Sequence, residues 1–203
     1  MVQLGRLHVV TDRFEVASAA ICAGAPVVQV RVKGVADRGV YDLVCRVQDV
    51  AVTTGATVLV NDRVGVAVAA GARGAHVGAE DLPVAAARRV LGVGGVLGAT
   101  ARDPETAQRH EAAGATYLGV GPAYLTSTKE GLPAPLGPVW IGAVASAVSI
   151  PVIAIAGVTP GRVAELLEVG VHGVAVVAGI ADAADPAAAT EAYLRALDRA
   201  GAS

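Results

Sequence analysis

The chain has 203 residues and a mass near 20.1 kDa, which suits one compact α/β domain and leaves no room for two large ones. Its 16 basic and 18 acidic residues, with a pI near 6.1, offer no electropositive surplus for a nucleic-acid backbone or an anionic bilayer. Hydrophobic residues make up 54% but aromatics only 3%, so the core is built from Ala, Val, Leu and Ile, and disorder is excluded as the main state.

The first 15 residues carry Arg6, Asp12 and Arg13 without a sustained apolar run, which does not read as a secretory signal. A strand is predicted over 7–11 and a short helix over 16–23. The same alternation then repeats: strand 27–32 and helix 38–53, strand 57–60 and short helix 64–70, strand 74–77 and helix 83–91, strand 95–99 and helix 104–113. Strand 117–120 precedes helix 138–148, strand 151–156 precedes helix 160–169, and strand 173–177 precedes helix 186–200. Several of these helices open on Pro, which suits a first turn whose N–H groups need no partner. Gly71, Gly114 and Gly170 follow helices and suit left-handed C-terminal caps.

Mean hydropathy is +0.56, and residues 131–161 contain no charge. Pro133, Pro135, Pro138, Pro151 and Pro160 cut that stretch into pieces shorter than the roughly 20 apolar residues a spanning helix needs. No membrane partner is expected. Cys22 and Cys45 fall in apolar helical patterns and form no Cys-x-x-Cys pair, so they are predicted to be free, buried thiols in a cytoplasmic protein.

Strands that are apolar at consecutive positions, such as Val152-Ile153-Ala154-Ile155, imply burial on both faces, as in a parallel sheet wrapped by helices. Eight β/α units, several entered through Gly-Ala or Gly-Val (Gly74-Ala75, Gly114-Ala115, Gly173-Val174), favour a closed (β/α)8 TIM barrel over an open doubly wound sheet. One barrel domain spanning residues 1–203 is expected.

In such a barrel the reactive groups belong just past the strands, where the βα loops share one mouth. Thr11-Asp12, Gln29 with Arg31 and Lys33, Asn61-Asp62, Glu80-Asp81, Thr100 and the run from Thr126 through Ser127 and Thr128 to Lys129 all fall there. Lys33 and Lys129 are the only lysines among the 16 basic residues, which points to a need for a compact ammonium at those two places. Gln29, Arg31 and Lys33 alternate along a predicted strand and so share a face. If that face lines the interior, the two cations call for an anionic ligand such as a phosphate or diphosphate. Asp62 and Asp81, beside Asn61, are hard oxygen donors suited to Mg²⁺ with substrate phosphates completing its shell. Asp residues after strands also cap the next helix, and Asp81 before Leu82-Pro83 is placed for that use.

Ala156-Gly157-Val158-Thr159 and Ala178-Gly179-Ile180 follow the last two strands, where short loops bind phosphate through backbone N–H groups. The Gly92–Gly95 run lacks the spacing of a dinucleotide fingerprint, and no P-loop is present. His8 and His76 lie in apolar strands, His110 in a helix and His172 in a turn, all read as structural. Ser146 and Ser149 have no His/Asp framework. Cations, amides, hydroxyls and a metal pair without an evident general base suit chemistry driven by stabilising a departing diphosphate.

Val9-Val10-Thr11-Asp12, Gln29-Val30-Arg31-Val32-Lys33, Val60-Asn61-Asp62-Arg63 and His76-Val77-Gly78-Ala79-Glu80-Asp81-Leu82-Pro83 occur in that order. They are followed by Gly119-Val120-Gly121-Pro122, Thr126-Ser127-Thr128-Lys129 and Pro151-Val152-Ile153-Ala154-Ile155-Ala156-Gly157. The ordered set, spanning nearly the whole chain, resembles the thiamine phosphate synthase family, in a superfamily that also holds a thiazole tautomerase. The resemblance implies a TIM barrel that joins 4-amino-5-hydroxymethyl-2-methylpyrimidine diphosphate to a thiazole phosphate, giving thiamine phosphate and diphosphate. It further implies that the diphosphate leaves first and that the thiazole nitrogen captures a pyrimidine carbocation.

Carried over by motif, Gln29, Arg31, Lys33, Asn61 and Lys129 would hold the pyrimidine diphosphate, and Asp62 and Asp81 would bind Mg²⁺. Arg31, Lys33, Lys129 and Thr100 would be the catalytic groups, with the Thr100 hydroxyl beside the pyrimidine. Thr126, Thr128, Gly157, Ala178 and Gly179 would hold the thiazole phosphate. The chain departs from the family pattern in a shorter first helix, in Ala156 where the family usually has Gly, and in Ala178 where it often has Ser. Arg102 stands where the tautomerase branch carries His, and Asn61-Asp62 with Asp81 favour the synthase, since a tautomerase needs no metal for diphosphate. The rival expectations are an isomerase acting on a carboxythiazole phosphate and a non-catalytic barrel that binds a thiamine precursor.

Overall fold

In the computed structural model, which describes residues 4–126 and 133–201, the β/α alternation closes on itself. The order is β1 (Leu7–Thr11), α1 (Phe14–Cys22), β2 (Val27–Val30), α2 (Asp37–Ala51), β3 (Thr57–Asn61) and α3 (Val64–Ala69). Then come β4 (Gly74–Val77), α4 (Val84–Leu91), β5 (Val96–Ala101), α5 (Pro104–Ala112), β6 (Tyr117–Val120) and α6 (Gly137–Ser146). The last units are β7 (Val152–Ile155), a 3₁₀ turn (Pro160–Arg162) leading into α7 (Val163–Glu168), β8 (Gly173–Val176), a short α8 (Ala178–Ala181) and α9 (Pro186–Gly201). Each strand pairs in parallel with the next, and β8 returns to β1 through Leu7 opposite Val174 and Val9 opposite Val176. This is the TIM barrel expected from the sequence.

Local chemistry sets the elements. Asp103 caps α5 by accepting the Thr106 N–H at 2.8 Å, with Pro104 at the first position. In α2, Val40, Val44, Val47 and Ala51 recur at helical spacing and are all buried. Removing each valine side chain from water contributes roughly 1.5–3 kcal/mol. Gly71, Gly114 and Gly170 have φ of 67°, 100° and 90°, the left-handed backbone expected after those helices.

Strand alternation divides the apolar residues into two cores. Leu7, Val9, Val28, Val30, Val58, Val60, Leu97 and Leu118 pack outward against the helices. Val10, Val27, Leu59, Val96, Tyr117, Ile153 and Ala175 fill the barrel interior. Around that interior Asn61, His76, Gly98 and Tyr117 lie in register on consecutive strands. Gly98 is required there: a Cβ on it would lie 2.2 Å from Tyr117 Cζ and 2.4 Å from His76 Nδ1.

Four expectations are corrected. β2 ends at Val30, so Arg31 and Lys33 lie just past the strand rather than on it; the Arg31 N–H still reaches Thr11 O at 2.9 Å. The helix predicted over 160–169 opens as a 3₁₀ turn, and the predicted loop at Ala178-Gly179 is the start of α8. Cys22 and Cys45 are free but not buried, Cys22 being exposed and Cys45 half-buried. The first helix is apolar on average and the second amphipathic, and both thiols lie off the stripe that carries Ile21 and Val44 into the core.

Candidate active site

The ends of the strands open into a cavity of about 880 Å³, at the upper part of the range for small-molecule sites. Gln29, Arg31, Lys33, Asn61, Asp62, Asp81, Thr100, Thr126, Gly157, Ala178 and Gly179 all line it. The structure thus gathers the expected groups in one chamber. Lys129 and Thr128 lie outside the described residues.

On one side, the Lys33 ammonium donates to Asp62. The Lys33 side chain is 60% exposed and that of Asp62 only 18%, so the carboxylate is anchored in the wall while the ammonium faces the opening. Asp62 has φ of 62°, a left-handed backbone that is uncommon outside glycine and is held here by its N–H bond to His76 O at 2.8 Å. The Asp62 and Asp81 carboxyl groups are close enough to shift each other's ionisation. Burial pushes Asp81 up, reinforced by Asp62. Burial also acts to raise Asp62, but the bonds from Asp81 and Lys33 outweigh it and hold it below the usual carboxylate range. Asp81 does not cap α4; its Oδ2 accepts the Gly78 N–H at 2.7 Å, which folds the β4–α4 turn inward.

A pair of neighbouring carboxyls, one of which is pushed toward its protonated form, is suited to a divalent cation between them. Among the described residues, no group of three or more His, Cys, Asp or Glu side chains is placed to hold a metal. A cation here would therefore need ligand oxygens from substrate or water, which is how Mg²⁺ is commonly held.

Across the chamber, the β7–α7 loop turns at Ala156 and Gly157, with φ of 74° and 69°. Tyr193 on α9 donates to Val158 O at 3.0 Å and packs under Gly179, whose Cβ, if present, would lie 2.4 Å from the tyrosine oxygen. One buried side chain thus sets the spacing of the two expected phosphate loops. Arg162 donates to Gly157 O at 2.7 Å and stacks over Tyr124, 4.2 Å from the ring centroid, adding a cation on this side.

The floor holds what sequence reasoning missed. His76 bonds Tyr117 Oη through Nδ1 and Thr100 Oγ1 through Nε2, both at 3.0 Å. The Tyr117 hydroxyl is pushed up by burial, with Gln29 nearby acting in the opposite sense. His8 packs edge-on against Tyr117, 5.2 Å between centroids. Burial drives His76 down to about 4 and His8 to about 3, so both rings are uncharged at neutral pH. His76 resembles a core histidine in sequence, but it has the same strand parity as Gly74 and faces Asn61 across the β3–β4 ladder. Arg102 was also missed: it donates to Gly121 O at 3.2 Å and Ala134 O at 2.8 Å, tying both sides of the β6–α6 connection to the end of β5.

A parallel eight-stranded barrel whose mouth brings cations, a carboxyl pair and glycine turns into one cavity is a barrel built for phosphorylated small molecules. The family model for thiamine monophosphate synthase matches residues 5–180. Thiamine-phosphate synthases of Salinispora arenicola and Salinispora tropica are each 53% identical over 206 residues, covering 97% of this chain and 99% of theirs. The solved thiamine phosphate pyrophosphorylase of Pyrococcus furiosus superposes with a TM-score of 0.89 at 30% identity, covering 96% of each chain. This chain belongs to the thiamine monophosphate synthase family.

Proposed function

We propose that the protein is a transferase that joins 4-amino-5-hydroxymethyl-2-methylpyrimidine diphosphate to a thiazole phosphate, releasing thiamine phosphate and diphosphate. The carrying observation is the convergence of Gln29, Arg31, Lys33, Asn61, Asp62 and Asp81 on one side of a single cavity, with the Gly157 and Gly179 loops opposite. Family membership and the relatives at 53% identity support the same reaction. The rival isomerase and ligand-binding expectations have no observation of their own in the site.

In this scheme Arg31, Lys33 and Lys129 hold the diphosphate and disperse the charge that grows on it as the C–O bond breaks, in a chamber where such interactions are stronger than in water. Asn61 orients the same group. Gln29 and Thr100 position the pyrimidine. Thr126, Thr128, Gly157, Ala178 and Gly179 seat the thiazole phosphate, so that the ring nitrogen faces the carbon the diphosphate leaves. Asp62 and Asp81 would hold Mg²⁺, which when bound supplies further neutralisation of the leaving diphosphate. Lys33, already paired with Asp62, is restrained in the direction of that diphosphate.

The substrates imply no nucleic-acid or membrane partner, and no helix among the described residues is long and apolar enough to cross a membrane. A cytoplasmic setting is supported by the two free thiols. The test is incubation of purified protein with both substrates and Mg²⁺: thiamine phosphate is the expected product, and none above a blank would refute the assignment.

A further inference from the structure

Across the chamber from the carboxyl pair, Arg162 ends the 3₁₀ turn before α7 and lines the cavity with Gly157, Ala178 and Gly179. Its Nη1 donates to Gly157 O at 2.7 Å, and its guanidinium lies over the Tyr124 ring, 4.2 Å from the centroid. Together these contacts orient the group while engaging only one of its five N–H donors. The expected partner on the same helical turn is Glu165, three residues on, where opposite charges commonly pair. That pair does not form. Arg162 makes no ion pair with any described residue, and Glu165 Oε1 instead accepts from the Tyr124 hydroxyl. Tyr124 is itself anchored, its N–H donating to Ala156 O at 3.1 Å. The tyrosine ring thus carries the guanidinium while its hydroxyl holds the carboxylate, and an oriented cation is left beside the turns that follow β7 and β8.

We propose that Arg162 is a specificity-determining residue for the thiazole substrate: its guanidinium binds the phosphate monoester seated on the Gly157 and Gly179 turns, and Tyr124 keeps it available by holding Glu165 away. The identity of this ligand rests on the synthase assignment. A carboxylate seated on the guanidinium would compete with any anion in the cavity, so its diversion to the tyrosine leaves the planar fork free. Backbone N–H groups and hydroxyls bind a phosphate oxygen much as they bind any acceptor. A guanidinium responds to the charge as well and offers parallel N–H groups to two oxygens. Arg162 therefore separates a thiazole phosphate from the corresponding thiazole alcohol. The pyrimidine diphosphate is held by the cations on the other side, so its binding does not depend on Arg162.

Two measurements test this. In the first, inorganic phosphate is titrated into ¹⁵N-labelled protein and followed at the Gly157 and Gly179 amide signals, which report this side of the cavity. Arg162→Gln should raise the Kd read there roughly tenfold, and Arg162→Lys, which keeps the charge without the fork, should fall between Gln and wild type. Tyr124→Phe removes no phosphate ligand but releases Glu165 to Arg162; it should raise Kd about threefold, and adding Glu165→Gln should restore the wild-type value. The proposal is overturned by a silent pair of amides in wild-type protein, by unchanged binding in Arg162→Gln, or by equal weakening in Tyr124→Phe with and without Glu165→Gln, the mark of a merely structural tyrosine. In turnover, Arg162→Gln should lower kcat/KM for the thiazole phosphate roughly tenfold while the value for the thiazole alcohol and KM for the pyrimidine diphosphate stay within about twofold; an equal loss for phosphate and alcohol would overturn it. If wild-type protein makes no thiamine phosphate, the synthase assignment fails, and the phosphate titration still decides the role of Arg162.

Discussion

Replacing Gly157 with Ala tests the turn that faces the diphosphate side of the cavity. Gly157 has φ of 69°, and a Cβ there would lie 2.7 Å from Leu125 O, 2.8 Å from Tyr124 Cβ and 2.9 Å from Tyr124 C. Two penalties combine. Holding an L-residue in left-handed backbone costs about 1–2 kcal/mol, and displacing packed neighbours costs about 1–3 kcal/mol. The lower freedom of Ala in the unfolded chain offsets about 0.4–1 kcal/mol, leaving a loss of about 1–4.5 kcal/mol. Denaturant titration should show this as a lower midpoint at constant slope. Because Arg162 is bonded to the Gly157 carbonyl, the displacement should also raise KM for the thiazole phosphate by roughly tenfold, about 1.4 kcal/mol, while KM for the pyrimidine diphosphate stays within about twofold. A variant with wild-type stability and both KM values unchanged would refute the steric reasoning.

Ala156, with φ of 74°, should behave in the opposite sense. Ala156→Gly relieves about 1–2 kcal/mol of backbone strain and gives up somewhat less in chain entropy and methyl burial, so its stability should match or exceed wild type by up to about 1 kcal/mol; Ala154→Gly, at a fully buried position of the extended β7, should be clearly destabilised in the same titration. Asp62→Ala removes the Lys33 partner and half of the carboxyl pair, so kcat should fall by about 10²–10³ with circular dichroism unchanged, and near-normal turnover would exclude Asp62 from the mechanism. His8 is held uncharged by burial, with a pKa near 3 against 6.5 when unfolded. Its contribution is complete above pH 6.5 and declines as pH falls toward 3, by about 1.4 kcal/mol per unit. His76, His172 and the Gly5 carbonyl face the ring, so His8→Gln should flatten the wild-type stability curve between pH 6.5 and 5; parallel curves would contradict this.

Most of the barrel was legible because its signals are local. Apolar runs such as Val152-Ile153-Ala154-Ile155 report burial on both faces, and Gly71, Gly114 and Gly170 end helices where only left-handed backbone closes the turn. The clustering of Asn61, Asp62, Gln29, Arg31 and Lys33 followed from one topological fact, that all βα loops share a mouth. What was hidden depends on which side of a strand a residue faces once the barrel closes. Tyr117 looks like a core residue because it is one, and the partly exposed His76 packs beside it; both also border the cavity, since interior positions near the strand ends serve both roles. Gly98, directly between them in register, was the available clue. The end of β2 was overrun because two-residue alternation continues through Arg31 and Lys33 after the ladder stops. The tether from Arg102 to Gly121 and Ala134 joins groups up to 32 residues apart, a separation at which no periodicity survives.

The buried contact of Tyr193 with the Val158 carbonyl and with Gly179 makes the final helix a thermodynamic partner of whatever occupies that half of the barrel. A bound anion that braces the two turns also steadies their support, and linkage runs equally in reverse. Amide exchange along residues 186–201 should therefore slow when inorganic phosphate saturates the protein, a remote gauge of occupancy that needs neither turnover nor a second substrate.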